Sequence, residues 1–188
     1  MKKINIGLIG FGNVGCGVVK ILQQRRSLLA QKIGIEIAIK KICDKDIATK
    51  RDVTIDKSML TRDANEIIND PQIDIVVELI GGLGAKEYIS SALKKGKHVV
   101  TANKALLAEC GRELFALAFE RGKNIYFEAS VGAGIPIIKS IKEGLVANKF
   151  KCIFGIVNGT SNYVLTQMER ENCSISSAIS AAQAKVFA

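Results

Sequence analysis

Short apolar runs alternate with amphipathic stretches along the first two thirds of the chain. Runs such as KINIGLI and DIVVELI are almost continuously apolar, which is typical of strands that are covered on both faces of a sheet. The amphipathic stretches carry apolar residues at helical spacing, as at Val14, Val18 and Ile21. The pattern predicts strands at 3–9, 35–43, 74–80, 97–101 and 124–129, and helices at 13–30, 63–69, 85–95 and 105–121. Repeated strand–helix units with short links favour an α/β fold with a doubly wound parallel sheet.

The pattern changes after Val131, where a glycine-rich loop leads to Pro136. Beyond the loop we expect a helix at 137–145, a strand at 149–157 and helices at 160–171 and 174–185. One strand cannot close a sheet, so we divide the chain into a complete domain at 1–131 and an incomplete α+β domain at 132–188. The second domain either pairs with a partner chain or continues in residues that this chain lacks. Its uncovered apolar surface predicts aggregation or self-association.

The formal net charge of +9 does not by itself indicate a nucleic-acid partner. Basic residues are scattered, and aromatic residues make up only 5% of the chain, so platforms for stacking bases are scarce. The five cysteines form no Cys-x-x-Cys pair and His98 is the only histidine, which favours reduced thiols over a zinc site. The apolar runs are too short to span a membrane. We therefore expect a cytoplasmic protein whose basic surface attracts small anionic ligands.

The segment Gly10-Phe11-Gly12-Asn13-Val14-Gly15 matches the Gly-x-Gly-x-x-Gly fingerprint of dinucleotide-binding proteins. Gly10 permits a tight turn after the strand, Gly12 lets the backbone approach a pyrophosphate, and Gly15 lets the helix pack closely on the strand. The start of the helix then offers N–H groups to the phosphates. The alternative is a glycine-rich turn without a ligand. Because a strand precedes the glycines and a helix follows them, we predict a Rossmann-type domain that binds NAD or NADP.

An acidic residue at the end of the second predicted strand favours NAD over NADP. Asp44 lies there, where a carboxylate can bind the adenosine ribose and repel a 2′-phosphate. Its separation from the glycines is longer than usual, which a long first helix would explain. Lys40, Lys41 and Lys45 lie nearby and weaken the preference, and Asp44 is otherwise only a turn residue. We therefore expect NAD to be slightly favoured.

Three later polar segments follow strand ends, where ligands bind in open α/β sheets. In the first, Thr101 and Asn103 can orient a carboxamide or a substrate, and Lys104 offers a positive charge to an oxygen; the alternative is an Asn-capped helix with a solvated lysine. In the second, 128–136, Glu128 and exposed carbonyls can hold a hard cation, or the segment is only a tight interdomain turn. The third, 158–162, is a polar turn that can face the same crevice.

The segments GFGNVG, VVELIGG, HVVTANKALLA, EASVGAGIPII and GIVNGTSNY, in this order, resemble those of homoserine dehydrogenases. These NAD(P)-dependent oxidoreductases interconvert aspartate semialdehyde and homoserine in threonine and methionine biosynthesis. The resemblance spans nearly the whole chain, and TANKALLA and NGTSNY are specific to that family. It implies a nicotinamide-binding domain, then a substrate and dimerisation domain, with a homodimer for the full-length enzyme and a small-molecule substrate.

The resemblance also implies roles for individual residues. Together with the reasoning above, it gives a cofactor-binding set of Gly10, Phe11, Gly12, Asn13, Val14, Gly15, Asp44, Gly81, Thr101, Asn103 and Lys104. Lys104 is the candidate catalytic residue, through electrostatic contact with the substrate. A sodium ion would be held by Glu128 and the main chain of Val131, Ala133 and Ile135. Gly159 and Thr160 would line the substrate site and the domain interface.

The sequence departs from the family pattern at its end. Val186-Phe187-Ala188 stands where Gly-Tyr-Ala is expected, and the Glu, Asp and Lys that the family uses for substrate binding and proton transfer are not in these 188 residues. We therefore expect a truncated homoserine dehydrogenase that binds NAD(H) but turns over homoserine poorly or not at all. The alternatives are a non-catalytic dinucleotide-binding module and another amino-acid dehydrogenase of the same fold.

Overall fold

A computed structural model describes residues 2–155 and 158–185 of the chain. It divides into two compact units, Met1–Lys139 and Ser140–Ala188. The functional boundary near Val131 that we expect from the sequence stays a prediction. Among the described residues, no helix is long and apolar enough to cross a membrane.

Within residues 2–139, the first unit holds one parallel sheet. Its strands are β1 Lys2–Ile9, β2 Ile35–Cys43, β3 Leu60–Thr61, β4 Ile75–Glu78, β5 His98–Thr101 and β6 Ile125–Tyr126. They lie in the order β3-β2-β1-β4-β5-β6, and every pairing is parallel. The chain therefore reverses its direction of winding between β1 and β4, which opens a crevice at the carboxyl ends of these two strands. The predicted doubly wound sheet is confirmed.

Helices cover both faces of this sheet. The helices of this unit are α1 Asn13–Gln24, α2 Arg26–Ile33, α3 Asn65–Ile68, α4 Ala85–Lys94, α5 Lys104–Glu120 and the three-residue α6 Ile137–Lys139. Leu8 of β1 packs with Val19 of α1 on one face, whereas the adjacent Ile9 packs with Ile89 of α4 and Leu114 of α5 on the other. Successive residues of a strand point to opposite faces, so a continuous apolar run is what a doubly covered strand requires.

Three of the predicted element bounds in the first unit are wrong. The single helix at 13–30 is two helices, because the backbone leaves helical geometry at Arg25 and α2 then lies along β2, where Arg26 pairs with Glu36. The polar segment 44–62 contains the short strand β3, which pairs with the end of β2. The last strand ends at Tyr126, since a 3₁₀ turn begins at Glu128.

The second unit contains a π-helical turn, Ser140–Gly144, and two helices, α7 Gly159–Glu171 and α8 Ile175–Ala184. Val164 of α7 packs against the small residues Ala178 and Ala182 of α8. The strand expected at 149–157 is not found among its described residues, 149–155, where no other strand is available for pairing; residues 156 and 157 lie outside the described part. The expected helix at 137–145 is a short α-helical turn that continues as the π-helical turn.

Candidate dinucleotide site

The glycine turn lies between the end of β1 and the start of α1. Gly10 has a φ of +104°, and its N–H donates to the carbonyl of Cys43 at 2.8 Å, which joins the turn to the end of β2. A Cβ on Gly10 would lie 2.7 Å from the carbonyl carbon of Leu79, just beyond β4. This position therefore requires glycine for its conformation and for the close approach of two backbones.

The start of α1 is packed tightly on one side and open on the other. A Cβ on Gly15 would lie 2.3 Å from the carbonyl oxygen of Gly10, so only glycine lets the helix approach this closely. A Cβ on Gly12 would meet no atom within 4 Å, and no side chain caps the helix at this position. The first turn has no acidic residue, and Val14 is 60% exposed beside it. The helix start is thus an open, uncapped end with the charge preference for an anion.

Asp44 lies directly beside this turn, as the sequence suggests. Its Oδ2 accepts the N–H of Phe11 at 2.5 Å, and its Oδ1 accepts the N–H of Asp46 at 2.8 Å. Next to it, burial and the Asp44 carboxylate raise the pKa of the Cys43 thiol to about 11. At neutral pH this thiol stays protonated, so it is a packing residue and not a nucleophile.

Arg51 belongs to the same corner, although sequence reasoning missed it. Its Nε donates to the carbonyl of Phe11 at 2.7 Å, and its two terminal nitrogens donate to the carbonyls of Thr49 and Asp46 at 2.6 and 2.7 Å. The guanidinium also lies over the Phe11 ring and within 3.9 Å of Asp44. Arg51 occurs in a polar segment without periodicity, so no sequence signal distinguishes it from the neighbouring lysines.

A solvent-open cavity of about 1150 Å³ adjoins this corner. Phe11, Lys20, Arg51, Ile55 and Lys57 are among its lining residues. It is large enough to admit a small-molecule ligand, and its lining combines apolar side chains with four basic residues and one carboxylate: Lys20, Lys50, Arg51, Lys57 and Asp52. It lies beside Asp44, where the ribose of an adenosine is expected.

A second polar group ties together the ends of β4 and β5. Glu78 is completely buried at the end of β4; its Oε1 accepts the N–H groups of Ile80 and Gly81 at 2.9 and 3.0 Å. Its Oε2 accepts the Thr101 hydroxyl at 2.6 Å. The side chain of Asn103 then donates to the carbonyl of Gly82 at 2.8 Å. Sequence reasoning noticed Glu78 only as an acid in an apolar run, although such a residue requires partners when it is buried.

Thr101, Asn103 and Lys104 therefore have different surroundings. The Thr101 hydroxyl oxygen accepts the N–H of Asn103, and Asn103 caps α5 through the N–H of Leu106. Thr101 is 1% exposed and Asn103 is also buried, so both side chains shape the loops from within. Lys104, in contrast, is exposed at the first residue of α5. The Asn-capped helix that is the alternative for this segment is present, and the lysine lies at the carboxyl edge of the sheet.

The segment after β6 is folded around Glu128. Its carboxylate accepts the N–H groups of Ile138 and Lys139 at 2.7 and 3.0 Å. The Ile135 carbonyl accepts the N–H of Ile137 at 2.8 Å, and Ala133 has a φ of +52°. Among the described residues, no cluster of three or more His, Cys, Asp or Glu side chains could hold a metal. Any cation here would depend on main-chain oxygens in addition to the Glu128 carboxylate.

Gly159 and Thr160 lie in the second unit, in the first turn of α7. The Asn158 side chain caps that helix by accepting the N–H of Ser161 at 2.8 Å. The polar turn thus begins a helix, as expected, and its role at a substrate site stays a prediction.

The parallel strand order, the glycine turn and the open helix start define the first unit as a nicotinamide-dinucleotide-binding domain of the Rossmann type. The family model described as the NAD-binding domain of homoserine dehydrogenase matches residues 10–128, and a second model, homoserine dehydrogenase, matches residues 136–188. The chain belongs to the homoserine dehydrogenase family. This membership decides against an amino-acid dehydrogenase of another family.

Individual relatives agree with this assignment. Homoserine dehydrogenase of Bacillus subtilis is 46% identical over all of this chain and 44% of its own length. A crystal structure of a homoserine dehydrogenase from Thiobacillus denitrificans superposes with a TM-score of 0.91 at 39% identity, over all of this chain and 44% of that one. A hyperthermophilic archaeal homoserine dehydrogenase in complex with NADPH gives a TM-score of 0.80 at 26% identity, over 98% and 62% of the two chains. The chain spans less than half the length of the curated relatives it matches.

Proposed function

We propose that this chain binds NAD(H) at the glycine turn and serves the interconversion of aspartate semialdehyde and homoserine. The observation that carries the proposal is the open, uncapped start of α1 at Gly12, with Asp44 beside it. A pyrophosphate at Gly12 would receive the N–H groups of the first helical turn. The adenosine would then extend past Asp44 towards the cavity beside Phe11 and Arg51.

The nicotinamide ring supplies hydride chemistry when the cofactor is bound. The protein contributes orientation and charge: the glycine turn holds the pyrophosphate, and the loops after β4 and β5 border the nicotinamide end. Lys104 offers its ammonium group to the substrate oxygen or carboxylate from the start of α5. The second unit, with Gly159 and Thr160, would supply part of the substrate side, and the full-length enzyme would be a homodimer.

We also propose a modest preference for NAD over NADP. The Asp44 carboxylate lies beside the glycine turn, and a 2′-phosphate bound next to it would be repelled by its like charge. Two of the lysines that weaken this inference are engaged elsewhere, since Lys40 pairs with Asp70 and Lys41 with Glu66. Arg51 donates to three carbonyls and partly balances the charge of Asp44, so the preference is modest.

A sodium ion near Glu128 is a further part of the proposal. The oxygen donors suit a hard cation, and a carboxylate that accepts two N–H groups keeps lone pairs for a further ligand. Glu128 and the carbonyls of Val131, Ala133 and Ile135 would hold it. The ion would therefore stabilise the loop that leads into α6.

Two matched alanine variants test the dinucleotide site. Positions 12 and 17 both have open space around the added Cβ and lack a positive φ, so neither substitution disturbs the packing. Only Gly12 faces the proposed pyrophosphate. We expect calorimetric or fluorescence titration to show NADH binding to the unaltered chain and to Gly17→Ala, and at least about tenfold weaker binding to Gly12→Ala.

Equal NADH affinity of the two variants would contradict the placement of the pyrophosphate, and no binding by the unaltered chain would refute the proposed function. The same preparation tests the expectation of weak turnover, because NAD-dependent homoserine oxidation at the rate of full-length enzymes would refute it. Weak homoserine oxidation above background would favour the dehydrogenase interpretation, and NADH binding without any turnover would favour the non-catalytic binding module.

A further inference from the structure

We infer that Glu78 is a positioning residue for the nicotinamide half of the dinucleotide. It acts through the loops that follow β4 and β5 and has no contact with the ligand itself. The inference rests on the proposed dinucleotide binding. Its physical basis is the closed ring of hydrogen bonds that Glu78 forms with Thr101, Asn103 and the turn Ile80–Gly82, here called the Glu78 ring.

The Glu78 ring joins two loops that are far apart in sequence. From Oε1 of Glu78 it passes to the N–H groups of Ile80 and Gly81, and the Gly82 carbonyl accepts the Asn103 amide. From Asn103 it returns through its N–H to the Thr101 hydroxyl oxygen at 3.0 Å, and from that hydroxyl to Oε2 of Glu78. The Gly81–Gly82 backbone closes the ring, and its hydrogen bonds are all made by buried or partly buried groups, so the ring holds the two loops in one arrangement.

The location of the Glu78 ring relates it to one half of the ligand. The glycine turn and Asp44 lie at the ends of β1 and β2, which is the pyrophosphate and adenosine side. β4 and β5 lie on the other side of the switch point, where the remaining half of a dinucleotide extends. The side chains that these loops expose include Ile80, Leu83 and Lys104. Their positions depend on the buried ring beneath them.

A carboxylate suits this place because all three of its partners are donors. Two backbone N–H groups and one hydroxyl face Glu78, and a carboxylate is acceptor-only when ionised. Glutamine has nearly the same shape but only one acceptor oxygen. In Glu78→Gln, an NH₂ that faces Ile80 and Gly81 removes the acceptor of both N–H groups. An NH₂ that faces Thr101 can donate to the hydroxyl oxygen, but it leaves the buried hydroxyl hydrogen without its carboxylate acceptor. Either orientation therefore leaves a buried donor unpaired without a change of volume.

The test compares NADH with ADP-ribose, which contains the adenosine and pyrophosphate but lacks nicotinamide. Both ligands are titrated by calorimetry against the unaltered chain, Glu78→Gln, Thr101→Val and Thr101→Ser. We expect Glu78→Gln and Thr101→Val to bind NADH about tenfold more weakly, with ADP-ribose affinity changed less than about twofold. Thr101→Ser keeps the hydroxyl and should restore NADH affinity.

The outcomes separate this inference from the proposed function. If the unaltered chain binds neither ligand, the proposed function fails and this inference fails with it. If the unaltered chain binds both and the variants weaken both equally, or weaken neither, only the positioning role is overturned. If Glu78→Gln does not fold, the contrast between Thr101→Val and Thr101→Ser decides the matter, because the valine is isosteric and the serine retains the hydrogen bond.

Discussion

Replacing Gly15 by alanine should move α1 away from β1 and damage both the fold and the dinucleotide site. The added Cβ would lie 2.3 Å from the carbonyl oxygen of Gly10. Gly10 has little room to retreat, because its N–H is hydrogen-bonded to the Cys43 carbonyl and even one added carbon on its Cα would clash with the backbone at Leu79. The helix must therefore shift by about 1 Å to restore an ordinary contact distance.

The size of the effect follows from two opposing contributions. Forcing a methyl group into a packed interior destabilises a protein by about 1–3 kcal/mol, and the fixed position of Gly10 favours the upper end. Alanine is better than glycine within a helix by about 1 kcal/mol. The free energy of unfolding should thus fall by about 2 kcal/mol in Gly15→Ala. Gly17→Ala is the matched control in the same helix; its Cβ has open space, so stability should rise by about 1 kcal/mol.

Thermal melting followed by circular dichroism measures this contrast. A difference of about 3 kcal/mol corresponds to roughly 6–12 °C between the two variants for a chain of this size. NADH titration should also show weaker binding to Gly15→Ala, because the N–H groups at the start of α1 are displaced. Equal melting temperatures for the two variants would refute the packing argument, and unchanged NADH affinity would refute its link to the site.

Four further outcomes are expected. Burial and Lys123 lower the pKa of His98 in the folded chain, so below about pH 6.5 the unfolded chain binds more protons, and the free energy of unfolding decreases as the pH is lowered. His98→Asn keeps an acceptor for the Asn124 N–H and should flatten this dependence in denaturant titrations between about pH 7 and pH 5. Parallel pH profiles for the two proteins would contradict this explanation. Asp44→Asn should shift the NAD/NADP affinity ratio about tenfold towards NADP, equivalent to ~1.4 kcal/mol, and an unchanged ratio would remove Asp44 from coenzyme selection. Sodium chloride should raise the melting temperature above that in potassium chloride for the unaltered chain but not for Glu128→Gln, whereas identical melting in both salts would count against a sodium site. Phe154 is 91% exposed and should promote self-association, so Phe154→Ser should reduce the molecular mass measured by light scattering. A monomeric unaltered chain at high concentration would contradict this prediction.

The elements that periodicity predicts well are those whose pattern and packing agree. β2 was expected at 35–43 and is found at Ile35–Cys43, because its apolar run ends in a turn at each side and Gly34 closes the preceding helix with a φ of +68°. The glycine turn is also recognisable from the sequence, since Gly10 is required by its positive φ and Gly15 by the close approach of the helix to the Gly10 carbonyl. Local sequence is sufficient to predict an element when the interactions that stabilise the element also lie within that segment.

Elements that depend on contacts with residues distant in the sequence cannot be predicted from the local pattern in the same way. β3 has only two residues, and it forms because the end of β2, at Ile42 and Cys43, has an edge opposite β1 that is available for pairing. The break at Arg25 has no proline or glycine to mark it, and α2 is oriented by its contact with β2. The mixed pattern predicts a strand at 149–157, but none is found among its described residues, 149–155, since a strand is stable only where a neighbour accepts its hydrogen bonds.

The two halves of the candidate site also differ in how they can be recognised. The pyrophosphate side consists of glycines, whose lack of side chains leaves the backbone accessible, so the glycine motif identifies it in the sequence. The nicotinamide side is built from buried polar side chains, and Glu78 is indistinguishable by pattern from a solvent-facing acid until its three donors are known. A substitution on the pyrophosphate side should therefore weaken the binding of every ligand that contains a pyrophosphate. A substitution in the Glu78 ring should weaken the binding of ligands that carry nicotinamide beyond the pyrophosphate and leave the binding of others unchanged. ADP-ribose, which lacks nicotinamide, is therefore the informative comparison.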